Sequence, residues 1–352
     1  TESFKGTLFK MNKSMQICVV GTGYFSQFHF EAWSRLNVNL RGICSLDLEK
    51  SKRVAHDFSG CQGFSDYELM MDKIEPDLID IIVPPSEQFL IIKAAIDRGI
   101  NIICQKPFTT SLAEAEKVVG LAKKANVTII VHENFRFQPW HVQIKKMLDN
   151  GMIGEPYQVS LRMRPGDGQG AGAYLSRQPY FQKMERFLIH ETAIHFIDVF
   201  RYYFGEIESV YADLVRLNPN IFGEDAGFVI FKFQNGVRGI FDGNRLSDHI
   251  AKDRRRTIGD LLVEGSSGSI RLNGDGDIFY RCFGSNFEKK VKYDWNDKGF
   301  AGDSVYFCQK DILDSILSGK VSAHSGSDYL RNLKIEETIY ISNENGKRYT
   351  IV

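Results

Sequence analysis

The stretch Met15-Gln16-Ile17-Cys18-Val19-Val20-Gly21-Thr22-Gly23-Tyr24-Phe25-Ser26 restricts this chain more than any other. Ile17 to Val20 form a short apolar run, the mark of a parallel strand covered on both faces. Gly21 can take the tight turn that follows. Gly23 lets a pyrophosphate approach the backbone with no side chain between them. The next residues can turn helical, and a helix opening there directs free N–H groups and its positive dipole end at the same spot. Ser26 stands where a third glycine is usual and is small enough for close helix–strand packing. A bare Gly-x-Gly is common in loops; the strand before it and the strand–helix units after it make it an expected dinucleotide site. Thr22, Tyr24 and Phe25 share the turn and join Gly21 and Gly23 as expected cofactor contacts.

Gln27 to Leu36 reads as a helix, Val38 to Cys44 as a second strand, and Leu48 to Phe58 as a helix again. Asp77 to Val83 is a buried strand stopped by Pro84-Pro85. Glu87 to Arg98 is a helix ending at Gly99. Ile100 to Cys104 is a strand ending at Gln105-Lys106-Pro107. Thr110 or Ser111 then caps a helix, and Val127 to Val131 is a further strand. Strands alternating with helices of this length predict a parallel, doubly wound sheet whose ligand lies beyond the carboxyl ends of its strands. Gly21, Pro84, Lys106 and the stretch from His132 onward fall at those ends.

Near Trp140 to Gly154 the pattern changes. A helix ends at Asn150-Gly151, Tyr157 to Arg164 is extended, and Ile207 to about Tyr293 reads as antiparallel strands. Asn235-Gly236 between Phe228–Phe233 and Val237–Phe241 predicts a hairpin. Asp303 to Leu317 and Leu330 to Ser342 are closing helices. The expected division is an arm over 1–14, a dinucleotide-binding domain over 15–134 and an α+β domain over 135–352. Helices must cover one face of the second sheet; the other, if apolar, needs a partner chain.

Composition matters mainly for what it excludes. A formal net charge of +0 argues against nucleic acid or an anionic membrane as the main partner. No apolar run approaches a membrane span, and the first fourteen residues lack the apolar core of a signal peptide. Six scattered cysteines without a CxxC pair read as reduced thiols in a cytoplasmic protein.

Lys106, at a strand tip before the backbone-fixing Pro107, would project over the cofactor cleft. In the run His190-Glu191-Thr192-Ala193-Ile194-His195-Phe196-Ile197-Asp198, helical spacing puts Glu191 and His195 on one face, where a carboxylate orients an imidazole. His190 and His195 are one residue too far apart for a zinc H-E-x-x-H, so no metal is expected. Spacing leaves His195 as either catalytic or a buried structural residue. It leaves Asp198 as either a second orienting carboxylate or a polar residue facing water. Arg162 and Arg164 alternate on one strand face, either lining the substrate cleft, where they would suit an acidic sugar, or solvated. The glycine-rich 165–173 segment is a lid or a disordered loop. Trp140 and Tyr174 stack on a sugar ring or pack in the core, and Lys252 to Arg256 is a solvated loop.

Taken together, the Gly21–Ser26 turn, Val83-Pro84-Pro85, Gln105-Lys106-Pro107 and Glu191-x-x-x-His195 resemble the glucose–fructose oxidoreductase / inositol dehydrogenase / MocA family. Glu133-Asn134-Phe135-Arg136-Phe137-x-Pro139, Gly151-x-Ile153-Gly154-Glu155-Pro156 and Ser327-Asp328-Tyr329-Leu330 extend the likeness over almost the whole chain. The resemblance implies a Rossmann domain joined to an α+β domain with an open, mostly antiparallel sheet that forms a homodimer or homotetramer. It implies NAD or NADP as cofactor and a sugar, polyol or related hydroxyl compound as substrate. It makes Lys106 the donor to the reacting oxygen, His195 the proton acceptor, and Glu191 a substrate-anchoring or His-orienting carboxylate. Pro84, Gln105 and Lys106 join the expected cofactor contacts, and Asn134 and Arg136 the expected substrate contacts.

Two positions depart from the family pattern: Gln105 replaces the usual Glu, and Glu191 the usual Asp. They favour one alternative to the dehydrogenase, a catalytically silent dinucleotide-binding regulator; the resemblance itself leaves another, an NAD-dependent glycoside hydrolase. Ser45, where an acidic residue normally binds the cofactor ribose, neither repels a 2′-phosphate nor has an arginine beside it. Weak cofactor discrimination with a slight lean to NADP follows unless Asp47 reaches back.

Overall fold

A computed structural model describes residues 14–351; the expected arm lies, but for Ser14, outside them. The first half runs β1 (Met15–Val20), α1 (Ser26–Arg35), β2 (Val38–Cys44), α2 (Leu48–His56), β3 (Gln62–Phe64), α3 (Tyr67–Ile74), β4 (Leu78–Ile81), α4 (Pro85–Asp97), β5 (Asn101–Gln105), α5 (Leu112–Lys124) and β6 (Ile129–His132). Its six strands pair in parallel in the order β3-β2-β1-β4-β5-β6, so the chain reverses direction across the sheet between β1 and β4. The crevice for a ligand opens at that reversal. Short polar devices set the helix ends: Asp47 caps α2 through Lys50 N–H, and Ser111 caps α5 through Glu114 N–H. The strand expected to run to Val83 ends at Ile81, and Pro85 begins α4, where its missing N–H costs nothing. The stretch 59–76, unassigned from periodicity, holds β3 and α3, both too short for a clear repeat.

The second half continues with α6 (Pro139–Asp149), β7 (Pro156–Met163), α7 (Ile194–Phe204), β8 (Ile207–Val215), β9 (Ala226–Phe233), β10 (Arg238–Asn244), β11 (Gly259–Gly265), β12 (Gly268–Leu272), β13 (Ile278–Cys282) and β14 (Lys289–Lys290). It closes with α8 (Ser304–Ser318), α9 (Gly326–Asn345) and β15 (Tyr349–Thr350). Nine strands form one mixed sheet, β14-β13-β12-β11-β7-β10-β9-β8-β15, antiparallel except where β10 runs parallel to β7. The expected hairpin joins β9 and β10, with Asn235 accepting from Val237 N–H inside the turn. Inward residues such as Val159, Leu161, Phe231, Phe241 and Val263 pack in one core with α7 and α9.

Two features differ from a simple reading in chain order. Helix α8 returns to the first sheet, where Cys308, Ile312 and Leu313 share a core with Ile17, Val19, Trp33 and Ile43. The 165–173 segment is tied down: Gly168 N–H donates to Arg245 O, and Asn218 Nδ2 donates to the carbonyls of Gly168 and Gly170. Trp140 and Tyr174 are both core residues, Tyr174 packing edge-on against Phe181 and Phe187.

Candidate functional site

A cavity of about 320 Å³ lies between the carboxyl ends of β1, β4 and β5 and the loops and helix of the second half. Its first wall is the Gly turn. Gly21 has φ +116°, and a Cβ there would meet Ile82 O at 2.1 Å, so the turn requires glycine. At Gly23 an added Cβ would meet nothing within 4 Å; the open space lies on the side from which a pyrophosphate would approach. No side chain caps α1, which leaves its N-terminus available to an anion. Ser26 is buried, and its Oγ donates to Gly23 O at 2.7 Å, bracing the turn from within. This cradle fits a dinucleotide. Tyr24 and Phe25 line the cavity, Phe25 packing edge-on against Phe300 from the second half, and Thr22 is buried behind them. At the β2 end, Ser45 Oγ donates to Asp47 O, and the Asp47 carboxylate is engaged in capping α2 rather than reaching back.

The second wall is the β5 end. Lys106 precedes Pro107 through a cis peptide bond, and its Nζ donates to Glu191 Oε1 at 2.8 Å and Glu191 O at 2.7 Å. Beneath it is a fully enclosed polar chain. Asp80 accepts from Trp33 Nε1 and pairs with His29 Nδ1, both at 2.8 Å; His29 Nε2 meets Gln105 Nε2 at 3.0 Å. Since the amide Nε2 can only donate, His29 Nε2 is the acceptor and Nδ1 carries the proton to Asp80. Gln105 Oε1 is thereby turned to accept Lys106 N–H at 2.8 Å. Gln88 completes the frame, donating to the carbonyls of Gln105 and Pro107 and accepting from Thr109 N–H.

The third wall is a π-helical turn, Leu188–Ala193, running into α7. Glu224 accepts the N–H groups of Phe187 and Ile189, His190 pairs with Glu336 at 2.6 Å, and Arg245 donates to Thr192 Oγ1 at 2.7 Å. The wider turn carries Glu191 to Lys106 and leaves Glu191 Oε2 buried with no hydrogen-bond partner among the described residues. His195 begins the regular helix and stacks on Phe135 at 3.7 Å. Its Nδ1 meets Glu133 Oε1 at 2.5 Å, so Nε2 is the ring nitrogen left for the cavity. Burial lowers the His195 pKa from its ordinary 6.5, against the opposing pull of Glu133.

The carboxylate beside His195 is therefore Glu133, while Glu191, expected to anchor substrate or orient His195, holds Lys106. Sequence spacing could not find Glu133, which lies 62 residues away at the end of β6. Asp198 neither orients His195 nor faces water. It is fully buried with Arg136, at 2.7 Å and 2.5 Å, and with His324 and Asn332. Arg136 is thus turned away from the cavity, whereas Asn134 lines it and donates to Ser304 Oγ. Arg162 lies on the exposed face of β7, and Arg164 pairs with Asp242 at 2.6 Å; neither lines the cavity. The arginines that do are Arg177, Arg245 and Arg255, the last from the run expected to be a solvated loop. No group of three or more His, Cys, Asp or Glu suited to a metal occurs among the described residues.

Comparison with known proteins adds a lineage to this geometry. Residues 15–133 match the model of an oxidoreductase family with an NAD-binding Rossmann fold, and residues 141–271 match the GFO/IDH/MocA C-terminal domain. D-apiose dehydrogenase of Paraburkholderia graminis is 27% identical over 95% of this chain and 89% of its own length. The D-apiose dehydrogenase of Rhizobium rhizogenes is 28% identical over 95% and 96%. An oxidoreductase from Agrobacterium radiobacter, solved in complex with NAD+, L-tartaric acid and magnesium, superposes with a TM-score of 0.86. It is 26% identical and covers 96% of this chain and 99% of its own.

Proposed function

This chain belongs to the GFO/IDH/MocA family of oxidoreductases, and from that premise we propose that it oxidises a secondary hydroxyl of a sugar, polyol or related compound, or reduces the matching carbonyl. The observation that carries this reading is the convergence of Lys106 from the first half and His195 from the second on one cavity beside the Gly21–Gly23 turn. A bound nicotinamide supplies the hydride acceptor. His195 Nε2 takes the hydroxyl proton as the carbonyl forms, while Glu133 holds the ring tautomer and accepts hydrogen-bonding from the imidazolium. Lys106 donates to the reacting oxygen, whose charge grows in the transition state, and Glu191 Oε2 is free to accept from a neighbouring hydroxyl. The names of the relatives support a sugar substrate.

The test is substrate-dependent change in reduced-cofactor absorbance over a panel of sugars and polyols, with NAD and NADP in parallel. Tight cofactor binding without turnover across the panel would replace this reading with a non-catalytic one.

The open sheet suits a homodimer or homotetramer. Register aligns Tyr211, Ile230 and Ile240 in one row across β8, β9 and β10, and neighbouring Phe228 is 55% exposed. Ile240→Lys is expected to convert the assembly to monomers in size-exclusion chromatography with light scattering; an unchanged mass removes this face from the interface. No helix among the described residues is long and apolar enough to cross a membrane. The free cysteines support the cytoplasm as the working compartment.

A further inference from the structure

Four cationic side chains, Lys106, Arg177, Arg245 and Arg255, face the cavity against two carboxylates, Asp167 and Glu191. Both carboxylates are already engaged. Glu191 Oε1 accepts from Lys106, and Asp167 accepts from Arg245 Nη2 at 2.7 Å and Nε at 3.2 Å. Arg245 is itself satisfied: its remaining contacts are Thr192 Oγ1 and the faces of the Tyr174, Phe181 and Phe187 rings. Arg177 and Arg255 are left over. Arg177 reaches Asp167 only at 3.5 Å, although its side chain is just 26% exposed. The Arg255 guanidinium forms no ion pair among the described residues and donates to the Tyr24 hydroxyl at 3.1 Å. Burial first, then the nearby Arg255, lower the Arg177 pKa from its ordinary value.

A solvated lone arginine is ordinary. A mostly buried one beside a second, both facing a cavity whose carboxylates are each already paired with another cation, is an arrangement that a bound anion completes. We propose that the hydroxyl compound acted on here carries a carboxylate, as a sugar acid or hydroxy acid does, and that Arg177 and Arg255 bind it. This rests on the hydride-transfer reading. Planar guanidinium groups match a carboxylate in geometry as well as charge. The dinucleotide's own pyrophosphate is the competing anion. It is expected at the Gly21–Phe25 turn; every hydrogen bond that Arg177 makes lies within the second half of the chain, whereas Arg255 touches that turn through the Tyr24 hydroxyl, so the discriminating variant is at Arg177.

Matched pairs that differ only by a carboxylate test the proposal: D-galacturonate against D-galactose, and D-gluconate against D-sorbitol. Turnover and calorimetric binding in the presence of NADH are both measured. The expected result is that at least one acid is preferred about 10-fold or more over its neutral partner, and that added salt erodes the preference. Arg177→Gln is expected to cost that acid about 30-fold in kcat/KM and leave any neutral substrate within about 3-fold, with Arg177→Lys recovering part of the loss. NADH affinity should stay within about 3-fold, which also shows that the variant is folded. Neutral compounds preferred in both pairs, or equal binding of acid and neutral partners, overturns the proposal. So does a loss confined to NADH affinity, which assigns the arginines to the cofactor. If nothing is turned over but an acid still binds through Arg177, the anion site stands and the hydride-transfer reading falls.

Discussion

In the first half of the molecule, the residues that face the cavity stand at a strand's end or close beyond it: Gly23 after β1, Pro84 after β4, Gln105 and Lys106 at the end of β5. In the second half the large sheet contributes little directly, and the cavity is met by a π-helical turn, a helix start and loops tied together by buried charges. The sheet serves there as a platform that positions other elements. The difference teaches that strand ends place a residue mainly through backbone geometry, even where side chains then hold its tip, as Glu191 holds Lys106. A site on helices and loops must be held by side-chain pairs, here Glu133–His195, Glu224 with the Phe187 and Ile189 amides, and Arg245–Asp167.

The heaviest loss should come from the side-chain-held part. His195→Ala is expected to slow oxidation roughly 100- to 10,000-fold, less at high pH, where hydroxide can take the proton. Glu133→Gln leaves the ring in place but alters what holds its tautomer, and about 100-fold is expected. Because burial lowers the pKa of His195, the imidazole remains the neutral base to below pH 6.5. The acid limb of kcat/KM for oxidation should therefore lie below that value. An acid limb above 6.5, or wild-type turnover in either variant, would break the assignment.

On the strand-end side, Lys106→Ala should lower turnover by about 100-fold or more, with cofactor affinity little changed, if the Gly turn is the seat of the pyrophosphate as proposed. Equal losses in turnover and cofactor binding would mean that the β5 end and the Gly turn are not separate devices. A smaller effect is expected one residue earlier. Gln105→Glu puts a carboxylate against the His29 Nε2 lone pair and beside Asp80, so turnover and melting temperature should both fall, turnover by roughly 10-fold. A more active variant would refute the buried chain described beneath Lys106. The smallest difference concerns the two cofactors. With Ser45 at the β2 end and Asp47 occupied in capping, weak discrimination with a slight lean to NADP is expected. Dissociation constants showing NAD preferred above about 100-fold, some 2.7 kcal/mol, would exclude it.

How much could be read in advance follows the same division. The parallel sheet was legible because buried strands and their helices carry short-range patterns, and Gly21, Pro84 and Lys106 take their positions from those patterns. The hairpin at Asn235-Gly236 was equally local. The partners of His195 and Lys106 were not, since Glu133 to His195 and Lys106 to Glu191 span 62 and 85 residues and no periodicity links them. Helical spacing also misassigned Glu191, because the turn holding it has π rather than α geometry. Alternation leaves Arg162 and Arg164 as either cleft-lining or solvated; they lie on β7 and just past its end, away from the cavity. The arginines that reach the cavity lie in irregular segments where position depends on tertiary contacts alone.

The return of α8 to the first sheet bears on how the molecule is made. One face of that sheet, with Ile17, Val19 and Ile43, packs against Phe30 and Trp33 of α1 and Ala55 of α2 and is completed by Cys308, Ile312 and Leu313 of α8. At 5–20 residues per second, the roughly 170 residues between β6 and α8 keep that apolar face waiting on the order of ten to thirty seconds during synthesis. A nascent chain of this kind invites chaperone attention at its amino-terminal half. A chain cut short before residue 304 would leave the ribosome with one face of its nucleotide-binding sheet covered by α1 and α2 alone.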